Sequence, residues 1–370
     1  MRKDNTIEAF FALVRGGLWE QEVLLAPFGK VDYDEIMRLA EEQSIVGLVT
    51  AGLELVQDTK IPQENLLQFI GQTIQLEQRN KAMNQFVGAI IERMRREGIY
   101  ALLVKGQGIA QCYERPLWRA SGDVDLFLSN DNYNKAKKYL KPLAIRVDAE
   151  NPVTQHQGML IDSWDVELHG SLRSRLWGHV NRVIDMAQDS VFFEGSVRSW
   201  MNGKTQVFLP RADEDVFFVF THILQHFYRE GIGLRQICDW CRLLWSYRDS
   251  LNYGLLESRI MEAGIMSEWK VFGAFAVERL GMPVDSMPFY STNVTPKAER
   301  LLSFIIETGN FGHNRDFSYY SNKPYLTRKV ISLKRHSADI CKQFFIFPLD
   351  TIRVWFSMLR EGLVEFFHGR

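Results

Sequence analysis

The sequence is short of cysteine, of net charge and of long apolar runs, and each shortage excludes a class of protein. Its 370 residues include 4 cysteines, too few for a disulfide framework, so we expect a reducing, cytoplasmic location. A formal net charge of −1 provides no field that would draw the chain to nucleic acid or to an anionic membrane. No apolar run reaches the roughly 18 residues that a membrane-spanning helix needs, and the N-terminus lacks a signal-peptide pattern.

Apolar residues are nevertheless abundant, at 46% of the chain with 12% aromatic residues, as is typical of globular proteins. At this length we expect more than one packed unit. The patterning divides the chain into an N-terminal helical region (1–98), an α/β core (99–210) and a C-terminal helical domain (211–370). The predicted fold class is therefore α+β, a small mixed sheet flanked by helical regions.

A long helix is predicted after Pro62 in the N-terminal region. Apolar residues recur every three or four positions, which gives one apolar stripe along the helix. Its members are Leu67, Ile70 and Ile74, and later Met83, Phe86, Ile90 and Met94. Gly98 follows where a helix C-terminal glycine is expected.

Two carboxylates stand at the start of a predicted strand in the α/β core, in the segment Gly122-Asp123-Val124-Asp125. Strand side chains alternate between faces, so Asp123 and Asp125 share one face while Val124 points the other way. Two acids on one face repel each other and contribute nothing as core. A divalent cation between them explains the pattern best.

A later strand, Trp164–His169, can supply a third carboxylate. Its alternation places Asp165, Glu167 and His169 on one face, with valine and leucine on the other. By spacing alone, either acid could complete a metal site. A β-hairpin is predicted further on, with Asn202-Gly203 at its turn.

These segments resemble the nucleotidyltransferase superfamily that includes DNA polymerase beta. The order of a strand, the Lys105-Gly106 turn, a short helix and the Gly-Asp-x-Asp strand carries the resemblance. Together with Arg119 and the Glu167-Leu168-His169 segment, it is similar to a group of largely uncharacterised bacterial nucleotidyltransferases, over roughly residues 30–320. In one departure, Gln107 follows Gly106 where the superfamily usually has a serine, which removes a hydroxyl expected near the phosphates.

The resemblance implies a Mg²⁺-dependent enzyme, with one or two ions, that uses a nucleoside triphosphate as co-substrate. It favours Glu167 over Asp165 as the third acid. Asp123, Asp125 and Glu167 are then implied to be the metal ligands and also the catalytic residues. The residues implied for nucleotide binding are Lys105, Gly106, Gln107, Gly108, Arg119 and Gly122, with Arg115 as a further candidate.

His222 and His226 lie four residues apart on a predicted helix and therefore on one helical face. This spacing can bind zinc, but it is equally that of packed or hydroxyl-binding histidines. The segment from His222 to Asp239 also resembles the second motif of the same family. That resemblance implies that His169, His222, His226, Arg235 and Asp239 help to bind substrate.

Three features have a structural interpretation. Cys238 and Cys241 fall within a predicted helix without a second cysteine pair, which favours packed thiols over a zinc or redox pair. A turn is predicted at Gly309–Gly312, bordering the cleft. The aromatic tail, Phe344–Phe367, predicts an amphipathic helix after Pro348 that docks on the body, on a second copy of the chain or on a membrane surface.

We therefore predict a nucleotidyltransferase that moves a nucleoside monophosphate from a triphosphate to a small-molecule, sugar or protein acceptor. Polymerisation on nucleic acid is disfavoured because no basic track with interleaved aromatics is present. Alternatives are a non-catalytic nucleotide- or partner-binding module, favoured by the missing serine, and a metal hydrolase centred on the two helical histidines. Because three clustered acids repel one another, the sequence also predicts that Asp125→Asn does not lower the melting temperature without metal.

Overall fold

The computed structural model describes residues 2–152, 154–193, 197–310 and 337–367. Its N-terminal part is helical, with α1 (Arg2–Trp19), α2 (Tyr33–Glu42), α3 (Val46–Leu53) and α4 (Gln63–Arg96). The strands are β1 (Leu102–Val104), β2 (Asp123–Phe127), β3 (Ala144–Val147), β4 (His156–Ile161), β5 (Trp164–His169), β6 (Val197–Asn202) and β7 (Thr205–Pro210). Between strands lie α5 (Gly106–Ala110), α6 (Asn130–Leu140) and α7 (Gly178–Phe193).

The remainder is helical again. It comprises α8 (Ala212–Arg229), α9 (Leu234–Tyr247), α10 (Tyr253–Ala263), α11 (Met266–Glu278) and α12 (Thr295–Thr308), then helical residues 337–344 and α13 (Pro348–Phe367). The predicted α+β class, a mixed sheet with helical regions on either side in sequence, is confirmed. No helix in the described part of the chain is long and apolar enough to cross a membrane.

The seven strands form one mixed sheet in the order β3-β4-β5-β2-β1-β7-β6. β2 runs parallel to β5 and β1 parallel to β7, whereas the other pairs are antiparallel. The predicted hairpin is β6–β7, with Gly203 in the turn at a φ of +61°, a conformation that glycine adopts at no steric cost. The pair β2 and β5 therefore lies near the centre of the sheet.

Two hydrophobic cores hold these elements. One lies behind the sheet, where Val124, Leu126, Val166 and Leu168 are almost fully buried against apolar residues of α4 and α6. The other joins the N-terminal helices α1–α3 to the C-terminal helices α8–α12, with Trp240 among its largest buried side chains. The helical segments at the two ends of the sequence thus share one core.

The apolar stripe predicted along the first half of α4 is not buried. Leu67, Ile70 and Ile74 are 60%, 37% and 50% exposed. This half of the helix instead turns Phe69 and Thr73 inward, and the Thr73 hydroxyl hydrogen-bonds Thr50 of α3 at 2.8 Å. The buried face contains hydrogen-bonded polar residues here, so hydrophobic periodicity selects the wrong face in this half. In the second half it is right, because Met83, Ile90 and Met94 are buried.

The thiols and the tail largely follow expectation. Cys238 and Cys241 are fully buried and not disulfide-bonded, and burial raises the pKa of both thiols. α13 begins at Pro348 as predicted, and Phe347 before it packs against Phe227 of α8 at a ring-centroid distance of 5.7 Å. The start of the tail therefore docks on the body. Association of two copies through α13 stays a prediction.

The predicted turn at Gly309–Gly312 lies partly outside the described residues, which end at Asn310 here. Gly309 has a φ of +66° and ends α12. Asn310 is buried and accepts a 2.9 Å hydrogen bond from Gln236 of α9.

Candidate active site

Three carboxylates converge at the centre of the sheet. β2 and β5 are parallel, with Asp123 opposite Asp165 and Asp125 opposite Glu167, and alternation turns Asp123, Asp125 and Glu167 to the same face. One carboxylate oxygen from each of these three lies within 4.8 Å of the others. Asp123 is exposed, Asp125 is buried at 2% exposure and Glu167 is half-buried.

Asp125 is the best-compensated of the three acids. Its Oδ1 accepts hydrogen bonds from Lys105 Nζ at 3.0 Å and from His169 Nε2 at 2.8 Å. Burial opposes the charge of Asp125, but Lys105 and the His169 hydrogen bond hold its pKa below the usual range. The same contacts raise the pKa of Lys105 and of His169, although burial acts against both cations.

Repulsion between the two aspartates raises the pKa of Asp123, whereas the pKa of Asp125 is lowered. The charge of Asp125 is the main cause of a raised pKa at Asp123. Partial loss of hydration in the cleft is second, although the side chain is exposed, and Lys105 offsets part of the shift. Two acids two residues apart therefore differ in environment. Asp125 is held ionised by its partners, whereas Asp123 still lacks compensation that a bound cation would supply.

Glu167 is flanked by two imidazoles. His156 Nε2 lies 3.2 Å and His169 Nε2 3.5 Å from Glu167 Oε2. Burial opposes the Glu167 charge, but the hydrogen bonds from both histidines hold its pKa well below the usual range. Asp165, the alternative third acid, is exposed, bonds Arg146 at 3.1 Å and does not line the cleft.

The turn after β1 brings Lys105 to the acids in an unusual backbone conformation. Lys105 has a φ of +55° and Gly106 a φ of +39°. Such values are rare for residues with a side chain, where they cost about 1–3 kcal/mol and persist only if the surroundings enforce them. The bond from Lys105 to Asp125 is one such enforcement, since it spans the β1–β2 pair.

Gln107, Gly108 and Gly122, which the resemblance implies for nucleotide binding, lie in three different environments. Gln107 is buried at 2% exposure, and its amide donates a 3.0 Å hydrogen bond to Asn80 of α4, so its side chain faces the core and not the cleft. Gly108 faces Leu209, whose Cδ2 would lie 2.8 Å from an added Cβ. Gly122 is exposed beside Asp123, with open space where a side chain would project.

Arg119 lines the cleft but is already paired. Its Nε and Nη2 donate to the two carboxylate oxygens of Asp239 at 3.0 and 2.6 Å, and Tyr113 donates to the same carboxylate at 2.9 Å. Both side chains of this bidentate pair are about 95% buried. Arg115 pairs instead with Glu54 at 2.6 Å and is not among the residues that line the cleft.

The predicted substrate-binding segment forms the opposite wall of the same cleft, a cavity of about 410 Å³. His222, His226, Arg235 and Asp239 line it together with the three acids. The Nε2 atoms of the two histidines lie 2.9 Å apart, and His226 Nδ1 lies 2.8 Å from Glu230. Burial, followed by the charge of Lys105, holds the pKa of His222 well below its usual value.

Sequence reasoning missed His156 and Glu230. β4 pairs with β5 in antiparallel register, which sets His156 opposite His169. The apolar segment Gly158–Ile161 also predicts a strand from the sequence, and extending its alternation back by two residues would have found His156. Glu230 follows His226 by four residues, a spacing that hydrogen-bonds on a helix. Among described residues, the groups of three or more potential metal ligands are Asp123/Asp125/Glu167 and His156/Glu167/His169, and neither contains His222 or His226.

Comparison with known proteins agrees with this geometry. A family model described as "Uncharacterised nucleotidyltransferase" matches residues 29–280, about two thirds of the chain. The matched range contains all of the cleft residues described above and stops before α12. No curated protein and no solved structure matches the chain.

Proposed function

The chain belongs to this nucleotidyltransferase family, and on that premise we propose that it transfers a nucleoside monophosphate from a triphosphate to a hydroxyl-bearing small molecule, sugar or protein. The observation that carries the proposal is the convergence of Asp123, Asp125 and Glu167 on one cleft. Lys105 and the two histidines compensate Asp125 and Glu167, but Asp123 remains repelled by Asp125, and a bound cation would neutralise that repulsion. Family membership supplies the reaction class to which such a cation belongs.

The donor set fits Mg²⁺. The three acids offer hard oxygen ligands, and one side of the site is open, as Mg²⁺ requires when it also takes phosphate oxygens. A cavity of about 410 Å³ is within the range of small-ligand sites. When bound, the metal would neutralise triphosphate charge and lower the pKa of the attacking oxygen.

Each residue has a role that follows from its surroundings. Lys105 and Arg235 place positive charge in the cleft, where the β- and γ-phosphates of the leaving pyrophosphate need it. Glu167, whose pKa is held low, is better suited to ligate metal than to accept a proton. Arg119 and Asp239 already hydrogen-bond each other, and Tyr113 bonds the same carboxylate. We therefore propose that this pair stabilises the wall of the cleft and does not bind phosphate.

The test is incubation of the full-length protein with Mg²⁺ and each α-labelled triphosphate in turn, with cell extract as the source of acceptors. We expect pyrophosphate release, with label transferred to the protein or to an extract component. Asp123→Asn and Glu167→Gln should each reduce transfer at least about a hundredfold, the loss typical of removing one electrostatic contributor to a transition state. Asp165→Asn is the matched control, because it removes an acid from the same strand face outside the cleft, and it should keep parental activity.

The side chain of Gln107 favours a second candidate, a module that binds nucleotide without turning it over. It stands where the superfamily usually has a serine, and its amide is turned into the core. The same experiment separates the two. A triphosphate that raises the melting temperature of the parent, with no pyrophosphate released in any mixture, would identify the module. Transfer that Asp123→Asn leaves intact would exclude the carboxylate site altogether.

A further inference from the structure

His156 is a residue for which nucleotidyl transfer has no evident use, yet it points at the acidic site. In antiparallel strands, directly opposite residues project from the same face. His156 and His169 are such a pair across β4 and β5, and their ring centroids lie 4.9 Å apart. Glu167 precedes His169 by two residues on the same strand and shares that face. Two imidazoles and one carboxylate therefore meet at one edge of the cleft.

The spacing of these three groups is that of metal ligands. His156 Nε2 and His169 Nε2 lie 3.2 and 3.5 Å from Glu167 Oε2, and one ligand atom from each residue lies within 4.8 Å of the others. Ligands about 2.0–2.1 Å from a tetrahedral ion stand about 3.3–3.4 Å from one another. The two contacts to Glu167 bracket that value, and a ring nitrogen of one histidine lies within 4.8 Å of one of the other, so an ion could be accommodated if the imidazoles move closer together.

Nitrogen ligands distinguish this group from the neighbouring carboxylates. Imidazole binds zinc and the later divalent transition metals well, whereas Mg²⁺ prefers oxygen ligands. The side chains of His156 and Glu167 are 35% and 34% exposed, so an ion can enter from the cleft. The other imidazole pair in the cleft, on α8, forms no such group of three among the described residues, because Glu230 bonds Nδ1 of His226 and not the Nε2 that faces His222.

We propose that His156, Glu167 and His169 form a second metal site, which binds a divalent transition ion of the Zn²⁺ or Co²⁺ class beside the site for Mg²⁺. Glu167 belongs to both sites. His169 Nε2 also contacts Asp125 at 2.8 Å, and an ion on that nitrogen releases this hydrogen bond. Occupation of the second site therefore changes the charge balance of the first. The proposal does not depend on nucleotidyl transfer, since binding is measured without triphosphate.

The experiment is titration of the full-length, chelator-stripped protein with Co²⁺, whose visible ligand-field bands report nitrogen ligands and coordination number. We expect saturation at one tight equivalent, displacement by Zn²⁺, and little displacement by excess Mg²⁺. His156→Ala and His156→Gln should each weaken Co²⁺ binding at least about tenfold, the lower limit reported for losing even an outer-shell partner of a metal site. Glutamine keeps a hydrogen-bond donor toward Glu167, so a mere positioning role for His156 would spare that variant.

Two controls use the same titration. His179→Ala removes an exposed histidine on α7, and Asp165→Asn removes an acid of β5 that lies outside the cleft; neither should change the Co²⁺ affinity. Unchanged affinity in both His156 variants would overturn the proposal, and so would loss of binding in His226→Ala alone. Displacement of Co²⁺ by Mg²⁺ at comparable concentrations would also overturn it, because the ion would then sit on the carboxylates. None of these outcomes bears on whether pyrophosphate is released.

Discussion

Replacement of Asp125 and of Asp123 by asparagine should have opposite effects on the stability of the metal-free protein. Asp125 is buried and bonded to Lys105 and His169, so its charge is favourable in place. Asp123 is exposed, and its pKa is raised chiefly by the charge of Asp125, so its ionised form is repelled. The structure thus reverses the expectation, drawn from clustered acids alone, that Asp125→Asn leaves the melting temperature unchanged or raised.

The size of the effect follows from what asparagine retains. Its Oδ1 can still accept one hydrogen bond, but the charge that strengthens the contacts with Lys105 and His169 is lost, which costs about 2 kcal/mol. Unfolding entropy is about 2.1 cal/mol/K per residue, so in a chain of 370 residues that cost corresponds to a fall of about 3 °C. Asp123→Asn relieves repulsion and should melt at the parental temperature or slightly above it.

The assay is thermal unfolding of the three proteins by circular dichroism, first with chelator and then with Mg²⁺ and a triphosphate. With chelator we expect Asp123→Asn to equal or exceed the parent and Asp125→Asn to melt lowest. Ligand at about 100 times its dissociation constant adds about 2.7 kcal/mol to the parent alone, which should then exceed both variants. An Asp125→Asn protein that melts above the parent with chelator would refute the argument from the Lys105 and His169 contacts.

Two further predictions concern stability away from the cleft. Gly52→Ala should destabilise the fold by about 2–3 kcal/mol in urea unfolding, because its Cβ would lie 2.0 Å from a backbone carbonyl oxygen of α1. Gly71→Ala on α4 meets no atom within 4 Å and should instead stabilise by about 0.5–1 kcal/mol; equal effects would contradict the packing. Burial, then the charge of Asp350, raises the pKa of Glu268 to about 8, so the parent should lose ~3–4 kcal/mol of stability as the pH rises from about 5 to 8. Glu268→Gln keeps an acceptor for Tyr228 and should decline much less over that range, with the raised pKa of His169 among the remaining causes of a decline. An equally steep decline in the variant would assign the pH dependence elsewhere.

The acids could be found from the sequence because the signal is local. Asp123 and Asp125 belong to one strand, and a period of two fixes their common face whatever the strand pairs with. The same reasoning paired Glu167 with His169. The shared face of α8 also followed from a spacing of four between His222 and His226. Element type and face are properties of a few consecutive residues, so the α+β class and the shared faces followed. The choice of Glu167 over Asp165 and the placement of α8 and α9 on the cleft came from the family resemblance.

What could not be predicted depends on contacts between distant parts of the chain. The role of Arg119 is set by Asp239, 120 residues away, and the direction of Gln107 by Asn80 of α4. The residues around Arg119 do not indicate that it pairs with Asp239, and those around Gln107 do not indicate Asn80. An arginine that binds phosphate and one that forms a buried ion pair therefore cannot be distinguished from the sequence.

Compensation of charge is the clearest case. From the sequence, three acids differ only in position, and repulsion among them is the natural expectation. Strand pairing brings Val104 opposite Asp125, and the next residue, Lys105, then reaches Asp125 while His169 approaches from β5. Asp123 at the exposed end of β2 receives neither contact. The difference in charge compensation between these two aspartates therefore arises from strand pairing in the sheet. A cation that enters the cleft meets Asp125 already bonded to Lys105 and His169, whereas Asp123 lacks both of these partners.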